Sequence, residues 1–252
     1  MRKLDYKQVI LEIKNWIKDY VQSANMKGIV LGISGGIDSA VTATLSVGAI
    51  GKNNVLGLGL PCFSNPQDLK DAKMIADFLD IEFMIFDLTS IYEEILKIMS
   101  SQIISTEIAN ANLKPRLRMM INYYVGQSKG SYLVMGTSNR TELAIGYFTK
   151  YGDGGADLEP IGDLYKCEIR KIAEILKIPK KIIKKPPSAG LWEGQTDEGE
   201  IGLSYNTLDE IIYRIDSDLK LDDLKKEDIN KVKKMMKLAQ HKLKMSPVFK
   251  VG

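Results

Sequence analysis

The residues best suited to chemistry stand in one run, Gly32-Ile33-Ser34-Gly35-Gly36-Ile37-Asp38-Ser39. Two adjacent glycines remove the Cβ obstacle, so backbone N–H groups can converge on an anion. Ser34 and Ser39 add hydroxyl donors, and Asp38 adds a carboxylate suited to a cation. A helix beginning here points its positive dipole end at the same spot. The expected ligand is a phosphate or pyrophosphate group. The run lacks the Gly-Lys-Ser/Thr of a Walker A loop and the third glycine of a dinucleotide fingerprint. A plain strand–turn–helix connection would also fit it.

Three further stretches carry reactive side chains. Gly136-Thr-Ser-Asn-Arg-Thr-Glu142 opens a helix with small polar residues and puts Glu142 one turn in. Such a sequence can be an N-cap with an acidic first turn and nothing more. It can also supply a second carboxylate. With Asp38, Glu142 would make the kind of pair that holds Mg²⁺ together with phosphate oxygens. Phe148-Thr-Lys-Tyr-Gly-Asp-Gly-Gly-Ala-Asp157 is too polar and too glycine-rich for a core element. It reads as a solvated loop or a binding loop, in which Asp153 and Asp157 could accept hydrogen bonds from ribose or amide groups. Lys166 opens a predicted helix over 164–176, where the dipole mildly disfavours a cation. It has either a phosphate to meet or only solvent.

What the sequence lacks narrows the chemistry. There is one histidine, His241, and there are two cysteines, Cys62 and Cys167. They build neither a histidine-rich zinc site nor a disulfide framework, and no nucleophile elbow is present. The reaction must rest on phosphate-binding loops, lysines, arginines and carboxylates.

The elements that position these residues follow from hydrophobic patterning. Apolar positions recur at helical spacing from 4 to 22, including Val9, Ile10, Ile13, Trp16, Ile17, Tyr20 and Val21. Ile29–Ile33, Val55–Leu60, Glu82–Phe86 and Ser131–Met135 read as strands, and helical patterns lie between them. Continuous apolar strands alternating with helices predict an α/β domain over 1–252, doubly wound, with a mainly parallel sheet covered by helices on both faces. The loops after the strands' carboxyl ends should share one cleft. Residues 191–200 read as a flap over it. The lysines at 180, 181, 184 and 185 read as a solvated face. Helices are expected over 207–217 and 225–240.

Composition is that of an ordinary globular protein: 44% hydrophobic and 27% charged, with 35 basic and 32 acidic residues giving a net charge of +3. This balance does not suggest a nucleic-acid partner. No apolar run reaches the ~20 residues of a membrane span. Without a signal-peptide pattern, a cytoplasmic location is the expectation.

Ser34-Gly-Gly-Ile-Asp-Ser39 resembles the signature of the ATP pyrophosphatase, or PP-loop, superfamily, whose fold is adenine nucleotide alpha hydrolase-like. Taken together, these stretches resemble the ammonia-dependent NAD synthetase family. The resemblance is carried by Gly32–Ser39, Asn112-Leu-Lys-Pro-Arg-Leu-Arg118, Gly136-Thr137 with Glu142, Phe148–Asp157 and His241-Lys242. It implies a ligase that uses ATP to adenylylate the nicotinate carboxylate of deamido-NAD⁺, releasing pyrophosphate. Ammonia then displaces AMP. It further implies that Gly32, Ile33, Ser34, Gly35, Gly36, Ile37, Asp38 and Ser39 hold ATP with Thr137, Lys166 and Ser188. Asp38 and Glu142 bind Mg²⁺, and Asp38 and Lys166 are catalytic. Arg116, Lys150, Asp157, His241 and Lys242 contact deamido-NAD⁺, in a homodimer with dinucleotide sites at the subunit interface. The chain has no length for an amidohydrolase domain, which implies free ammonia or ammonia from a separate protein. Where the family often has Asp-His after Gly-Thr, this sequence has Ser138-Asn139, so those two side chains receive no role. A tRNA-thiolating or GMP-synthetase-like enzyme would be the nearest rival, and a non-catalytic adenine-nucleotide module a more distant one.

Overall fold

Four short apolar segments pair in parallel to form the sheet, in the spatial order β3-β2-β1-β4. The computed structural model describes residues 1–188, 190 and 194–251. In chain order the elements are α1 (Tyr6–Ser23), β1 (Gly28–Gly32), α2 (Ile37–Ile50), β2 (Val55–Gly59), α3 (Pro66–Leu79), β3 (Glu82–Ile85), α4 (Thr89–Ser100), α5 (Glu107–Ser128), β4 (Tyr132–Val134) and α6 (Arg140–Ile145). They continue with α7 (Lys166–Ile175), α8 (Lys180–Ile183), α9 (Asp197–Ile201), α10 (Tyr205–Asp216) and α11 (Lys226–Leu243). Among the described residues, no helix is long and apolar enough to cross a membrane.

Side chains alternate across a strand, and β1 uses the alternation to join two cores. Ile29 and Leu31 pack with residues of α1, α2, α3 and α7. Val30 faces the other way, with Leu56, Leu58, Leu117, Val125 and Val134, against α4 and α5. Both faces of the sheet are covered, as the continuous apolar runs predict. A third cluster, outside the sheet, joins α6 to α9, α10 and α11 through Tyr205, Leu208, Ile212 and Val232.

The chain runs from β1 outward to β2 and β3, then returns to place β4 on the other side of β1. That reversal puts the crevice at the carboxyl ends of β1 and β4. Ile29 pairs with Val55 on one side and Leu133 on the other. A parallel bridge from Met135 to Leu158 carries the pairing past the end of β4. The loop after β1 and the two segments after β4 therefore converge.

Two expectations are corrected here. The buried stripe of α1 is Ile10, Ile17 and Val21, whereas Trp16 is 45% exposed and leans on Tyr20 at its edge. Val9 and Ile13 are partly buried against the same core, towards α2 and α7. β3 is an edge strand, with Glu82 and Ile85 exposed, so it is not covered on both faces as the inner strands are.

Candidate active site

The loop at 33–36 is held by backbone conformation and by its own hydroxyls. Gly35 has φ +78, and a Cβ there would stand 2.5 Å from the Asp68 carbonyl oxygen of α3. Only glycine satisfies both conditions. Gly36 caps α2 in an extended conformation, and its N–H donates to Ser34 Oγ at 3.2 Å. Ser39 Oγ donates to the Gly36 carbonyl at 3.0 Å and accepts from the Ser34 N–H at 3.2 Å. The two hydroxyls expected to face a ligand are thus engaged in shaping the loop.

Across the crevice, Asn139 caps α6. Its side chain accepts from the Glu142 N–H at 3.0 Å, and Glu142 Oε2 accepts from the Asn139 N–H at 3.5 Å. This capping box also aims Glu142 at the cleft, so the two readings of that stretch are one structure. Asn139 is fully buried, and its Nδ2 donates to Asp38 Oδ1 at 2.9 Å. It ties the two carboxylates together, a part that the sequence reading withheld from it.

Lys166 is only 2% exposed, which removes the solvated reading. Its ammonium donates to Asp38 Oδ2 at 2.7 Å and to Glu142 Oε1 at 2.9 Å, and it lies over the Tyr205 ring at 4.8 Å. Buried charge requires such partners. Burial alone would lower the Lys166 pKa, but Asp38 and Glu142 outweigh it and raise it. Burial raises the Glu142 pKa; Lys166 opposes the rise and the neighbouring Asp38 adds to it. The Tyr205 hydroxyl donates to Asp197 Oδ2 at 2.8 Å and lies 3.3 Å from Glu142 Oε1.

The Asp38 and Glu142 oxygens converge on one cation, here the ammonium. Two carboxylates sharing a cation beside a phosphate loop suit Mg²⁺, which takes its remaining ligands from phosphate and water. Among the described residues no group of three or more His, Cys, Asp or Glu side chains gathers at metal-binding distance. The donor set therefore does not suit a zinc cage.

These groups line a cleft of about 600 Å³. Gly32, Ile33, Ser34, Gly36, Ile37, Asp38, Ser39, Thr137, Glu142, Lys166, Ser188 and Lys242 all line it, whereas Gly35 packs on α3 behind it. Arg116, Lys150 and His241 do not line the cleft. They gather around the 148–152 turn: Lys150 Nζ donates to the His241 carbonyl at 2.6 Å, and Arg116 Nε to the Lys150 carbonyl at 3.4 Å. Lys242 Nζ donates to the Gly146 and Phe148 carbonyls, both at 2.7 Å. Asp157 stands apart. Its carboxylate accepts from the Tyr123 hydroxyl at 3.0 Å and the Val134 N–H at 2.7 Å, splicing its segment to β4.

The 148–157 stretch is anchored at one end, where Thr149 is buried and donates through Oγ1 to Asn112 Oδ1 at 2.6 Å, and solvated at its turn, where Tyr151 is exposed. Arg118, which was given no role in the sequence reading, lines the cleft and donates to the Leu60 carbonyl at 3.0 Å. Arg116 and Arg118 are two positions apart on α5, so they cannot share a face. The Asn112–Arg118 resemblance held that signal without saying which arginine turns inward. The lysine run is also corrected: Lys181 and Lys185 both pair with Asp71, which is 1% exposed. Of the expected flap, 191–193 lie outside the described residues. Its later part forms α9, and Asp197 and Glu200 line the cleft. Burial pushes the Cys62 thiol up, and burial with Asp209 pushes Cys167 up to about 12, so neither is a ready nucleophile.

The model of the family described as NAD synthase matches residues 9–246. An NH(3)-dependent NAD(+) synthetase from Finegoldia magna is 45% identical over 246 residues, covering 98% of this chain and 97% of its own. Among solved structures, an NMN synthetase from Francisella tularensis superposes with a TM-score of 0.90 at 33% identity, over 99% of this chain and all of that one. An NH3-dependent NAD synthetase from Campylobacter jejuni subsp. jejuni gives a TM-score of 0.84 at 32% identity, over 98% and 100%.

Proposed function

This chain belongs to the NAD synthase family, and we propose that its cleft amidates deamido-NAD⁺ with ammonia, converting ATP to AMP and pyrophosphate. The observation that carries the division of labour is the convergence of Asp38, Glu142 and Lys166 beside the loop at 32–39. A carboxylate is a poor electrophile at neutral pH. Adenylylation forms a bond from its oxygen to the α-phosphorus and breaks the bond to pyrophosphate. Ammonia then forms the C–N bond, loses a proton, and AMP leaves.

Such a transfer needs positioned charge more than a side-chain nucleophile. The backbone N–H groups of the loop and the start of α2 receive the phosphates. Asp38 and Glu142 would hold Mg²⁺, which when bound screens the phosphate charge. Lys166 keeps the two carboxylates apart and offers its remaining N–H to a phosphate oxygen; Asn139 fixes the direction of Asp38. Thr137 and Ser188 border the nucleotide. Lys242, with Arg116, Lys150 and His241 at the 148–152 turn, faces the dinucleotide. Asp157 acts there through the segment that it splices to β4.

A second copy of the chain supports that side of the site in this reading. Ile98, Met99, Ile104, Ile108, Met120 and Tyr124 of α4, α5 and their connection are exposed apolar residues, a face suited to a homodimer contact. A fully active monomer in light scattering would contradict it. A mononucleotide acceptor is the second reading, favoured by the likeness to the Francisella tularensis NMN synthetase. The deciding assay follows pyrophosphate release with ATP, Mg²⁺ and NH₄⁺, using deamido-NAD⁺ or nicotinate mononucleotide as acceptor. Glutamine replaces ammonia in a parallel arm. Release that depends on deamido-NAD⁺ and ammonia is expected. Release with the mononucleotide alone would assign the second reading, and none with either would refute both.

A further inference from the structure

Lys185 lies 150 positions after the phosphate loop, at the end of α8, yet its ammonium reaches that loop. Nζ donates to the Gly35 carbonyl at 3.3 Å and to Asp71 Oδ2 at 2.9 Å, and it pairs with Asp68 Oδ1 at 2.8 Å. Two carboxylates and one backbone carbonyl thus surround the ammonium. Lys185 borders the cleft, and the oxygens it meets belong to α3 and to the loop itself.

Its effect on the loop comes from peptide geometry. Every peptide bond described here is trans, and the C=O and N–H of a trans peptide point in opposite directions. Lys185 draws the Gly35 oxygen towards the Asp68 and Asp71 side chains of α3. The N–H of the same peptide belongs to Gly36, and it points the other way, at Ser34 Oγ on the cleft wall. The alternative orientation would turn a carbonyl oxygen towards an anionic ligand. The positive φ of Gly35 makes either orientation accessible, so the loop needs a fixed partner to choose between them.

The partner is itself held firmly. Asp71 is buried on α3, where Lys181 Nζ reaches it at 2.6 Å and Gln67 Nε2 donates to it at 2.8 Å. Burial pulls the Asp71 pKa up, but Lys181, Lys185 and Gln67 outweigh it and hold it at about 2. The carboxylate is therefore charged throughout the neutral range.

We propose that Lys185 is a positioning residue for the pyrophosphate moiety of ATP, acting by fixing the Gly35–Gly36 peptide with its N–H towards the cleft. The proposal rests on the reading that the loop at 32–39 receives the ATP phosphates. It assigns Lys185 no contact with substrate.

The test is calorimetric binding of ATP and of AMP, each with Mg²⁺, to the wild type and to Lys185→Gln. AMP lacks the pyrophosphate that the oriented N–H serves. ATP affinity should fall about tenfold, the lower range for losing an aligned hydrogen bond to a charged group, while AMP affinity stays within about twofold. A double variant, Lys185→Met with Asp68→Asn, removes one charge of each sign and leaves Asp71 paired with Lys181, so the fold keeps its charge balance. It should show the same selective loss. Parallel weakening of ATP and AMP, or unchanged ATP affinity, would overturn the positioning role. A wild type that binds AMP as tightly as ATP would instead overturn the phosphate-loop reading on which it rests.

Discussion

Gly35→Ala tests how tightly the loop after β1 is seated on α3, and Gly130→Ala provides its control. Both glycines have φ +78, so an alanine at either bears the same left-handed penalty, ~1–2 kcal/mol. At Gly130 nothing lies within 4 Å of the new Cβ. At Gly35 the Cβ would meet Asp68 O at 2.5 Å, Asp71 Cβ at 2.9 Å and Ala72 N at 3.1 Å. Two of these atoms are helix backbone, and the third belongs to a carboxylate held by two lysines. The helix cannot yield at one atom, so overpacking adds ~1–3 kcal/mol. Gly35→Ala should therefore cost about 3 kcal/mol and Gly130→Ala about 1. In a chain of this size each kcal/mol lowers Tm by ~2–4 °C. Calorimetry should place Gly35→Ala ~6–12 °C below the wild type and Gly130→Ala ~2–4 °C below. Below its melting range the Gly35 variant should also need more ATP for half-maximal pyrophosphate release, and the Gly130 variant should not. Equal melting points for the two variants would mean that α3 accommodates a Cβ freely, and the account of the loop's seating would be wrong.

Other perturbations follow from the cation cluster and its surroundings. Asp38→Asn keeps an oxygen to accept from Asn139 but loses a charge at the proposed Mg²⁺ position, so turnover should fall by about 10²-fold or more with the melting curve little changed; unaltered turnover would remove Asp38 from that role. Lys166→Met leaves Asp38 and Glu142 facing each other without their cation, which should cost ~3–5 kcal/mol at neutral pH. Glu142 would then bind a proton more readily folded than unfolded, so its deficit in Tm should shrink as pH falls from 7 to 5; a deficit independent of pH would argue against the pairing. Burial raises the Glu159 pKa to about 8, against the hydrogen bond from the Ser138 N–H. Between its ordinary value and about 8, the folded state holds a proton that the unfolded state has lost, so stability falls as pH rises through that window. Glu159→Gln keeps an acceptor for Ser138 and should melt ~2–4 °C above the wild type at pH 8 but not at pH 4; a constant difference would mean that Glu159 does not titrate there.

The parts of the site that could be read from sequence are those written in consecutive residues. The glycine pair at 35–36, the Asn139–Glu142 box and the apolar runs of β1 and β2 each declare a local geometry, because the backbone conformation they favour is decided within a few positions. The partners of Lys166 and Lys185 are decided elsewhere. Lys166 stands 128 positions from Asp38, and Lys185 stands 114 from Asp71. A lysine's neighbours in sequence say little about what its long side chain meets across a crevice. The run at 180–185 therefore reads as a solvated face until α3 is placed beneath it, and Lys166 at a helix start reads as poorly matched until two carboxylates are placed beside it. Helix phase is a further limit. Arg116 and Arg118 belong to one motif, yet only the packing of α5 against the sheet decides that Arg118 turns into the cleft. The same reasoning bears on Asn139, set aside in the sequence because it departs from the family's usual pair. In the fold it caps α6, orients Asp38 and leaves no polar group of its own idle. Asn139→Ala should therefore loosen the proposed Mg²⁺ pair, through Asp38, as well as the start of α6. A variant that lost helix stability alone would show that the link to Asp38 is incidental.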